Sequence, residues 1–180
     1  LPYFVKLIPR EDIKKEDAEN PMTALPMGPP GYIGEAEYGV QHGPLMSPIF
    51  SPCTAPPWSL LVGVDMDKGE IIWSRPLGVL DKLMPVPVPL EFGTPFAGGA
   101  ITTSTGVVFI GASYDNRFRA HDVETGEILW EDDQLPYSAN ATPMTYTYEG
   151  EQYVVTSAGG HAWSPLPKGD YIMAWKLPKK

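Results

Sequence analysis

His161 is the residue in this sequence whose surroundings best suit chemistry. It follows Gly159 and Gly160 at the end of a β-rich run. Because glycines have no Cβ, such a segment lets a ligand approach the backbone closely, and an imidazole beside it can donate, accept or carry a proton. The pattern therefore indicates a histidine that contacts a ligand. The alternative is a histidine that only forms hydrogen bonds within its loop.

The other reactive side chains show weaker patterns. Cys53 is the single cysteine, so it has no partner for an internal disulfide and is expected to be a packed thiol. His42 lies in a proline-rich segment and His121 lies at a variable position of a repeated motif (residues 120–130), and both are expected to be structural or surface residues. Asp132 and Asp133 follow a strand and indicate a solvated sheet edge rather than an acid and base pair. We expect no catalytic residue and no metal ligand in this chain.

Charge and composition exclude several classes of function. The net charge of −9 is unfavourable for binding nucleic acid or anionic lipid, which attract Lys and Arg. No apolar run reaches the roughly 18 residues that span a bilayer, and the chain is expected to be soluble as given. With 18 glycines and 21 prolines, frequent turns and few long helices are predicted.

The chain is predicted to consist of two regions of different texture. Residues 1–57 are proline-rich and are predicted to be irregular, with one candidate helix over residues 10–20. Residues 58–180 contain short Val-, Ile-, Tyr- and Thr-rich runs separated by Gly, Asp and Asn, which is typical of antiparallel sheets. Nine strands are predicted there, over residues 59–65, 70–75, 99–103, 107–113, 118–122, 127–131, 141–148, 152–158 and 171–177.

An internal repeat indicates how these strands are arranged. Residues 63–73 (GVDMDKGEIIW) align with residues 120–130 (AHDVETGEILW), and Asp, Gly, Glu, Ile and Trp recur at identical offsets. Each copy predicts a strand, a tight turn and a return strand that ends in Trp73 or Trp130. A hairpin cannot bury so large an aromatic side chain alone, so both tryptophans are expected to be largely buried between adjacent sheets. The predicted fold is all-β, a partial β-propeller of about two and a half four-stranded blades.

The repeat and several other segments resemble one enzyme family. Residues 120–130 resemble the tryptophan-docking motif of eight-bladed pyrroloquinoline quinone (PQQ) dehydrogenases. The resemblance covers essentially residues 7–178 and is closest to the membrane-bound glucose, quinate and polyol enzymes. The further segments that carry it are residues 107–112 (VVFIGA), 115–120 (DNRFRA), 141–146 (ATPMTY), 152–155 (QYVV) and 157–161 (SAGGH).

The resemblance implies the C-terminal region of a periplasmic enzyme. Such enzymes oxidise a sugar, polyol or cyclic hydroxy acid with PQQ and Ca²⁺ and pass electrons to ubiquinone. The family's catalytic aspartate, main Ca²⁺ ligands and PQQ-binding cation come from earlier blades, and its membrane anchor is N-terminal. This chain alone is therefore expected to bind no cofactor tightly, to be inactive, and to associate with the remaining blades or with itself.

The resemblance also implies a set of cofactor-binding residues. The family's match to His161 contributes to the cofactor and substrate pocket, and its match to Asp115 lies near the cofactor, although Asp115 and Asn116 also form an ordinary turn pair. Ala97 stands where the methanol branch presents a tryptophan to PQQ. Gly98 and Gly99 would let the cofactor come close to the backbone at this position. The alternative is that these two glycines only begin a strand.

A second class of function stays open from sequence. Propellers with the same docking motif also serve as non-enzymatic scaffolds or binding modules of the bacterial envelope. A scaffold does not require the Gly159–His161 loop together with Asp115. If the enzyme interpretation holds, His161, Asp115 and the Gly98–Gly99 backbone should meet at one end of the sheets, near the propeller axis.

Overall fold

The chain forms two compact units, Leu1–Ala55 and Pro56–Lys180, in a computed structural model. No helix in the described part of the chain is long and apolar enough to cross a bilayer. The domain division predicted after residue 57 on composition stays a prediction. The structure describes residues 3–18, 30–31, 35–48, 52–82, 89–94, 98–161, 164 and 166–176.

The first unit contains a two-stranded antiparallel sheet. Strand β1 (Tyr3–Pro9) pairs with β2 (Tyr38–Pro44), and a 3₁₀ turn (Arg10–Asp12) and one turn of helix, α1 (Lys15–Ala18), follow β1. The strands at residues 3–9 and 38–44 correct the prediction of mostly irregular chain there. The candidate helix over residues 10–20 is present in part, as the 3₁₀ turn and α1, and residues 19 and 20 lie outside the described part. The glycines and proline of β2 disfavour a strand by propensity, but pairing with the apolar β1 overrides that preference.

In the described residues of the second unit, all regular secondary structure consists of antiparallel strands. All nine predicted strands are present, with ends that differ by up to three residues from the prediction. They form a hairpin, a four-stranded sheet in the order β5-β6-β7-β8 and a three-stranded sheet in the order β11-β10-β9. Their bounds are β3 (Leu60–Asp65), β4 (Glu70–Pro76), β5 (Ile101–Thr102), β6 (Val107–Ile110), β7 (Phe118–Asp122), β8 (Ile128–Asp132), β9 (Met144–Tyr148), β10 (Glu151–Ala158) and β11 (Tyr171–Lys176).

The two copies of the repeated turn have the same geometry. Asp65 Oδ1 accepts hydrogen bonds from the N–H groups two and three residues later, at 3.0 and 3.1 Å. Asp122 Oδ1 accepts the equivalent pair, both at 2.9 Å. Gly69 and Gly126 close the turns with φ of 68° and 71°, which strongly favour glycine. The repeat therefore codes for a local structure that forms twice.

The two tryptophans of the repeat have different surroundings. Trp73 is half-buried against Gly126 of the second copy and donates from Nε1 to the Val123 carbonyl at 2.8 Å. Trp130 meets Trp175 edge-on, with ring centroids 6.0 Å apart, yet 41% of it is exposed. The prediction that Trp130 is largely buried is wrong, because its edge-on contacts with Phe118 and Trp175 leave much of the indole exposed.

Two small cores join successive sheets of the second unit. Leu77 packs with Ile110 and Ala112 between the β3–β4 hairpin and the four-stranded sheet. Phe118, which is fully buried, stacks on Trp175 at a centroid distance of 4.4 Å between the four- and three-stranded sheets. This face-to-face packing sets the positions of the loops that leave each sheet.

Candidate functional site

The loops that carry the predicted site residues share one end of the sheets. In an antiparallel meander, alternate connections lie at opposite ends, so the residues before β5, between β6 and β7, and after β8 lie together. The β8–β9 connection continues this end into the three-stranded sheet, where the β10–β11 connection also lies. We call it the loop end, and its described residues are 77–82, 89–94, 98–100, 111–117, 133–143, 159–161, 164 and 166–170.

Asp115 is the most completely buried charge at the loop end. Its carboxylate, with no exposed surface, accepts hydrogen bonds from the Ser113 hydroxyl at 2.5 Å and the Val79 N–H at 3.0 Å. Arg119 contributes two more, at 2.5 and 3.4 Å. The carboxylate is thus charge-balanced and saturated with donors, and it clamps the segment after β4 onto the β6–β7 loop. A direct cofactor contact by Asp115 stays a prediction.

The guanidinium groups of Arg117, at the loop end, and Arg119, in the adjoining strand β7, both pair with carboxylates. Arg119 Nε lies 2.6 Å from Glu131. Arg117 bridges Glu131 at 2.6 Å and Asp81 at 2.8 Å. These guanidinium groups hold the loop to β8 and to residue 81, and carboxylates balance their charges, while Arg117 Nε is buried without a partner among the described residues.

His161 is half-buried in its glycine-containing loop. The backbone around it is anchored, since Gly160 donates to the Ser138 carbonyl at 2.9 Å and Ser164 donates to the His161 carbonyl at 3.0 Å. Gly160 has φ of 76°, as expected of a glycine that turns the chain. The imidazole lies beside the ring of Tyr114, with centroids 6.4 Å apart. The loop that carries His161 therefore meets the loop that carries Asp115.

Gly98 and Gly99 lie where the loops before β5 and β9 meet. A Cβ on Gly98 would collide with the backbone carbonyl of Asn140, and one on Gly99 would lie 2.7 Å from Thr142 Oγ1. The missing side chains thus let the two loops pack together. Close approach of a cofactor to these glycines stays a prediction, and Ala97 lies outside the described residues.

Two polar residues at the loop end were not predicted from the sequence. Tyr114 is 5% exposed and donates its N–H to Thr94 Oγ1 at 3.0 Å. Asn140 is 6% exposed; its Nδ2 donates to Ser138 Oγ at 3.1 Å, while its Oδ1 has no hydrogen-bond partner in the described part of the chain. Both could have been predicted from the strand order, because it places the β6–β7 and β8–β9 connections at the end of the sheets that holds His161.

The described residues include no group of three or more His, Cys, Asp or Glu side chains arranged to hold a metal ion. Among its described residues, the loop end can offer a ligand the imidazole of His161, backbone groups, and the buried amide oxygens of Asn116 and Asn140, which have no partner in that part of the chain. These groups can form hydrogen bonds with a polar molecule.

Comparison with known proteins decides the family. Residues 1–154 match the model of the PQQ family described as the glucose/ethanol/alcohol dehydrogenase β-propeller domain. The chain belongs to this family. The quinoprotein glucose dehydrogenase of Escherichia coli is 41% identical over 99% of the chain, and glucose dehydrogenase A of Acinetobacter calcoaceticus is 37% identical over 99%. A probable quinate dehydrogenase (quinone) of Xanthomonas campestris is 35% identical over 99%.

The chain spans about a quarter of the length of these PQQ-family relatives, at 22–23% of each. The quinohemoprotein alcohol dehydrogenase of Comamonas testosteroni is 20% identical, covers 98% of the chain and superposes with a TM-score of 0.50, and the chain covers 24% of it. The fold is therefore an all-β, partial β-propeller, as the repeat predicted. The hairpin and the two sheets of the second unit are blades or parts of blades.

Proposed function

We propose that this chain is the C-terminal region of a PQQ-dependent dehydrogenase that oxidises a sugar, a polyol or a cyclic hydroxy acid. The observation that carries the proposal is the coverage of the relatives. Proteins named as quinoprotein glucose dehydrogenase and quinate dehydrogenase align with nearly the whole chain, so the loop end lies within the shared region.

The loop end suits one wall of a PQQ site. PQQ, when bound, supplies the quinone that accepts electrons from the substrate. His161 would contact it from the half-buried imidazole, and the Asn140 amide is a buried group whose Oδ1 lacks a hydrogen bond among the described residues. Gly98 and Gly99 would lie along the same wall, with Asp115 behind it as a clamp, and Ala97 is proposed as a further cofactor contact.

The remaining groups must come from other blades of the parent protein. The PQQ carboxylates need a cation, whereas Arg117 and Arg119 are already paired with carboxylates. A base is needed to take the hydroxyl proton of the substrate. We place that base, the cation and the Ca²⁺ ligands outside this chain. The chain alone would bury only a fraction of PQQ and bind it weakly.

The partners and location of the parent follow from the same proposal. We propose that the remaining blades complete the propeller, that the parent works in the periplasm attached to the inner membrane through a segment outside this chain, and that ubiquinone takes the electrons. Relatives whose names specify a quinone support the choice of acceptor. Without its other blades, the chain would self-associate through its exposed strand edges.

Reconstitution tests the proposal. The full-length parent is incubated with PQQ and Ca²⁺, and dye reduction is followed with glucose, quinate and glycerol as substrates. We expect PQQ-dependent turnover with at least one of them. The 180-residue chain, measured beside it by calorimetry, should bind PQQ weaker than micromolar and show no turnover. A parent without PQQ binding would exclude the dehydrogenase function and favour a scaffold.

A further inference from the structure

We propose that Tyr114 positions the imidazole of His161, an inference that rests on the proposed role of His161 at the cofactor wall. The two rings lie 6.4 Å apart between centroids and are inclined by 28°, which is a stacked arrangement. They come from different sheets, the β6–β7 loop and the segment after β10. The contact therefore joins the two blades at the place where a ligand would meet His161.

Tyr114 is rigid enough to orient another ring. It is 5% exposed, and its N–H is held by Thr94 Oγ1 at 3.0 Å. Its neighbours Ser113 and Asp115 are fully buried and hydrogen-bonded to each other. Asp115 is further fixed by Arg119 and by the backbone of residue 79. A residue flanked on both sides by a satisfied buried network has little freedom to move.

His161 lies in a loop whose backbone is anchored by hydrogen bonds on either side of it. Gly159 and Gly160 precede it, and the backbone hydrogen bonds at Gly160 and Ser164 anchor the main chain without restricting the χ angles of His161. The contacts of its ring then set the direction of the imidazole, and the Tyr114 ring is one of them. The Tyr114 ring supplies a flat surface that favours one orientation of the imidazole. Part of the conformational entropy of His161 is therefore lost before a ligand binds, and binding costs less.

The proposal predicts a specific pattern of effects in the full-length protein. Removing the Tyr114 ring should weaken PQQ binding about two- to tenfold, the range expected for an aromatic pair. Tyr114→Phe keeps the ring and should retain the affinity within about twofold. In a His161→Ala background, Tyr114→Leu should cause no further loss, because the tyrosine acts through the histidine.

Two measurements keep the inference separate from the proposed function. The first is the rate at which diethyl pyrocarbonate modifies His161 in the cofactor-free parent, followed by peptide mass spectrometry. Tyr114→Leu should raise this rate at least about threefold, since the imidazole loses a face that covers it. The second is the PQQ dissociation constant of the apoprotein with Ca²⁺, measured by calorimetry for the single and double variants.

Controls guard against a general loss of structure. Tyr148→Leu makes the same replacement at the far end of β9, where Tyr148 is 60% exposed, and should leave both readouts unchanged. Tyr114→Met fills similar volume without a ring, so it should behave as Tyr114→Leu does if the leucine variant is unstable. Melting curves of each variant identify those that fold.

The outcomes separate the two hypotheses. If the labelling rate of His161 is the same in Tyr114→Leu, Tyr114→Met and the wild type, the positioning role is excluded whether or not PQQ binds. The role is also excluded if Tyr114→Leu costs as much in the His161→Ala background as alone. If labelling changes as expected but His161→Ala leaves PQQ affinity intact, the pair exists, and the proposed function has misplaced His161.

Discussion

The indole N–H of Trp73 donates to the backbone carbonyl of Val123 at 2.8 Å, and so joins the β3–β4 hairpin to the four-stranded sheet. The acceptor lies inside the second copy of the turn whose first copy precedes Trp73. The ring of Trp73 also lies against Gly126 in that turn. A repeat that forms a tight turn within one blade thus provides the docking surface for the preceding one.

The equivalent glycines of the two turns provide a matched test of this docking. Gly69 and Gly126 have nearly the same positive φ, so alanine at either position should cost about 1 kcal/mol in backbone strain. A Cβ at Gly69 meets nothing within 4 Å, whereas one at Gly126 lies 2.6 Å from the Trp73 ring. Gly126→Ala should therefore cost about 1–3 kcal/mol more than Gly69→Ala.

Chemical denaturation of the full-length protein, monitored by tryptophan fluorescence, measures this difference. Equal losses for Gly69→Ala and Gly126→Ala would mean that the Trp73 contact adds nothing to stability.

Asp115→Asn should destabilise the protein strongly, even without cofactor. The substitution removes a fully buried charge and leaves Arg119 with one carboxylate fewer. Removing one partner of a buried ion pair in this way lowers the free energy of unfolding by about 3–5 kcal/mol. Asp133→Asn is the control, because Asp133 is exposed and should be replaceable without measurable loss. Melting curves of the cofactor-free wild type and of both variants measure this difference in stability. A stable Asp115→Asn variant with impaired PQQ binding would favour the predicted cofactor contact over the clamp.

His121 should make stability depend on pH. Its Nδ1 lies 3.1 Å from the Gly126 carbonyl, which only accepts, so Nδ1 carries the proton, and Nε2 is buried without a partner in the described chain. Burial lowers the pKa of His121 from its ordinary 6.5; the Gly126 hydrogen bond opposes this, while Arg119 reinforces it. The unfolded chain therefore takes up the proton first, and stability should fall as the pH drops below about 6.5.

The variant His121→Asn keeps a donor near the Gly126 carbonyl but does not titrate. It should show a smaller loss of melting temperature between pH 7 and pH 5 than the wild type. An unchanged slope would assign the acid sensitivity to other groups.

Gly98→Ala should destabilise the cofactor-free protein more than Gly99→Ala does. The new Cβ at residue 98 would meet the backbone carbonyl of Asn140, which cannot move without its loop, whereas at residue 99 it meets the side chain of Thr142. Overpacking of this kind costs about 1–3 kcal/mol. Melting temperatures without PQQ test the packing role. If Gly98→Ala melts normally and only PQQ binding suffers, the glycine serves the cofactor instead.

The strands, the repeated turn and the family could be predicted from the sequence because each depends on residues near one another in the chain. Alternating apolar residues with Gly and Asp at the ends specify the strands of the second unit. Asp122 and Gly126 are enough to define their turn, since the aspartate bonds to the next few N–H groups and the glycine takes the positive φ. The same local rules failed for β2, whose residues pair with residues of β1 that lie 29 to 41 positions earlier in the chain.

Only the tertiary structure decided which of the candidate site residues contact one another and which side chains are buried. Trp73 and Trp130 have the same local sequence, but the packing of the neighbouring sheets leaves 41% of Trp130 exposed. Asp115 is a plausible turn residue in sequence, yet Val79 and Arg119 enclose it. Tyr114 and His161 lie on different sheets, and their contact exists only because a shared core brings the two loops to one end. Long-range packing, which leaves no periodic signal in the chain, thus set the composition of the site.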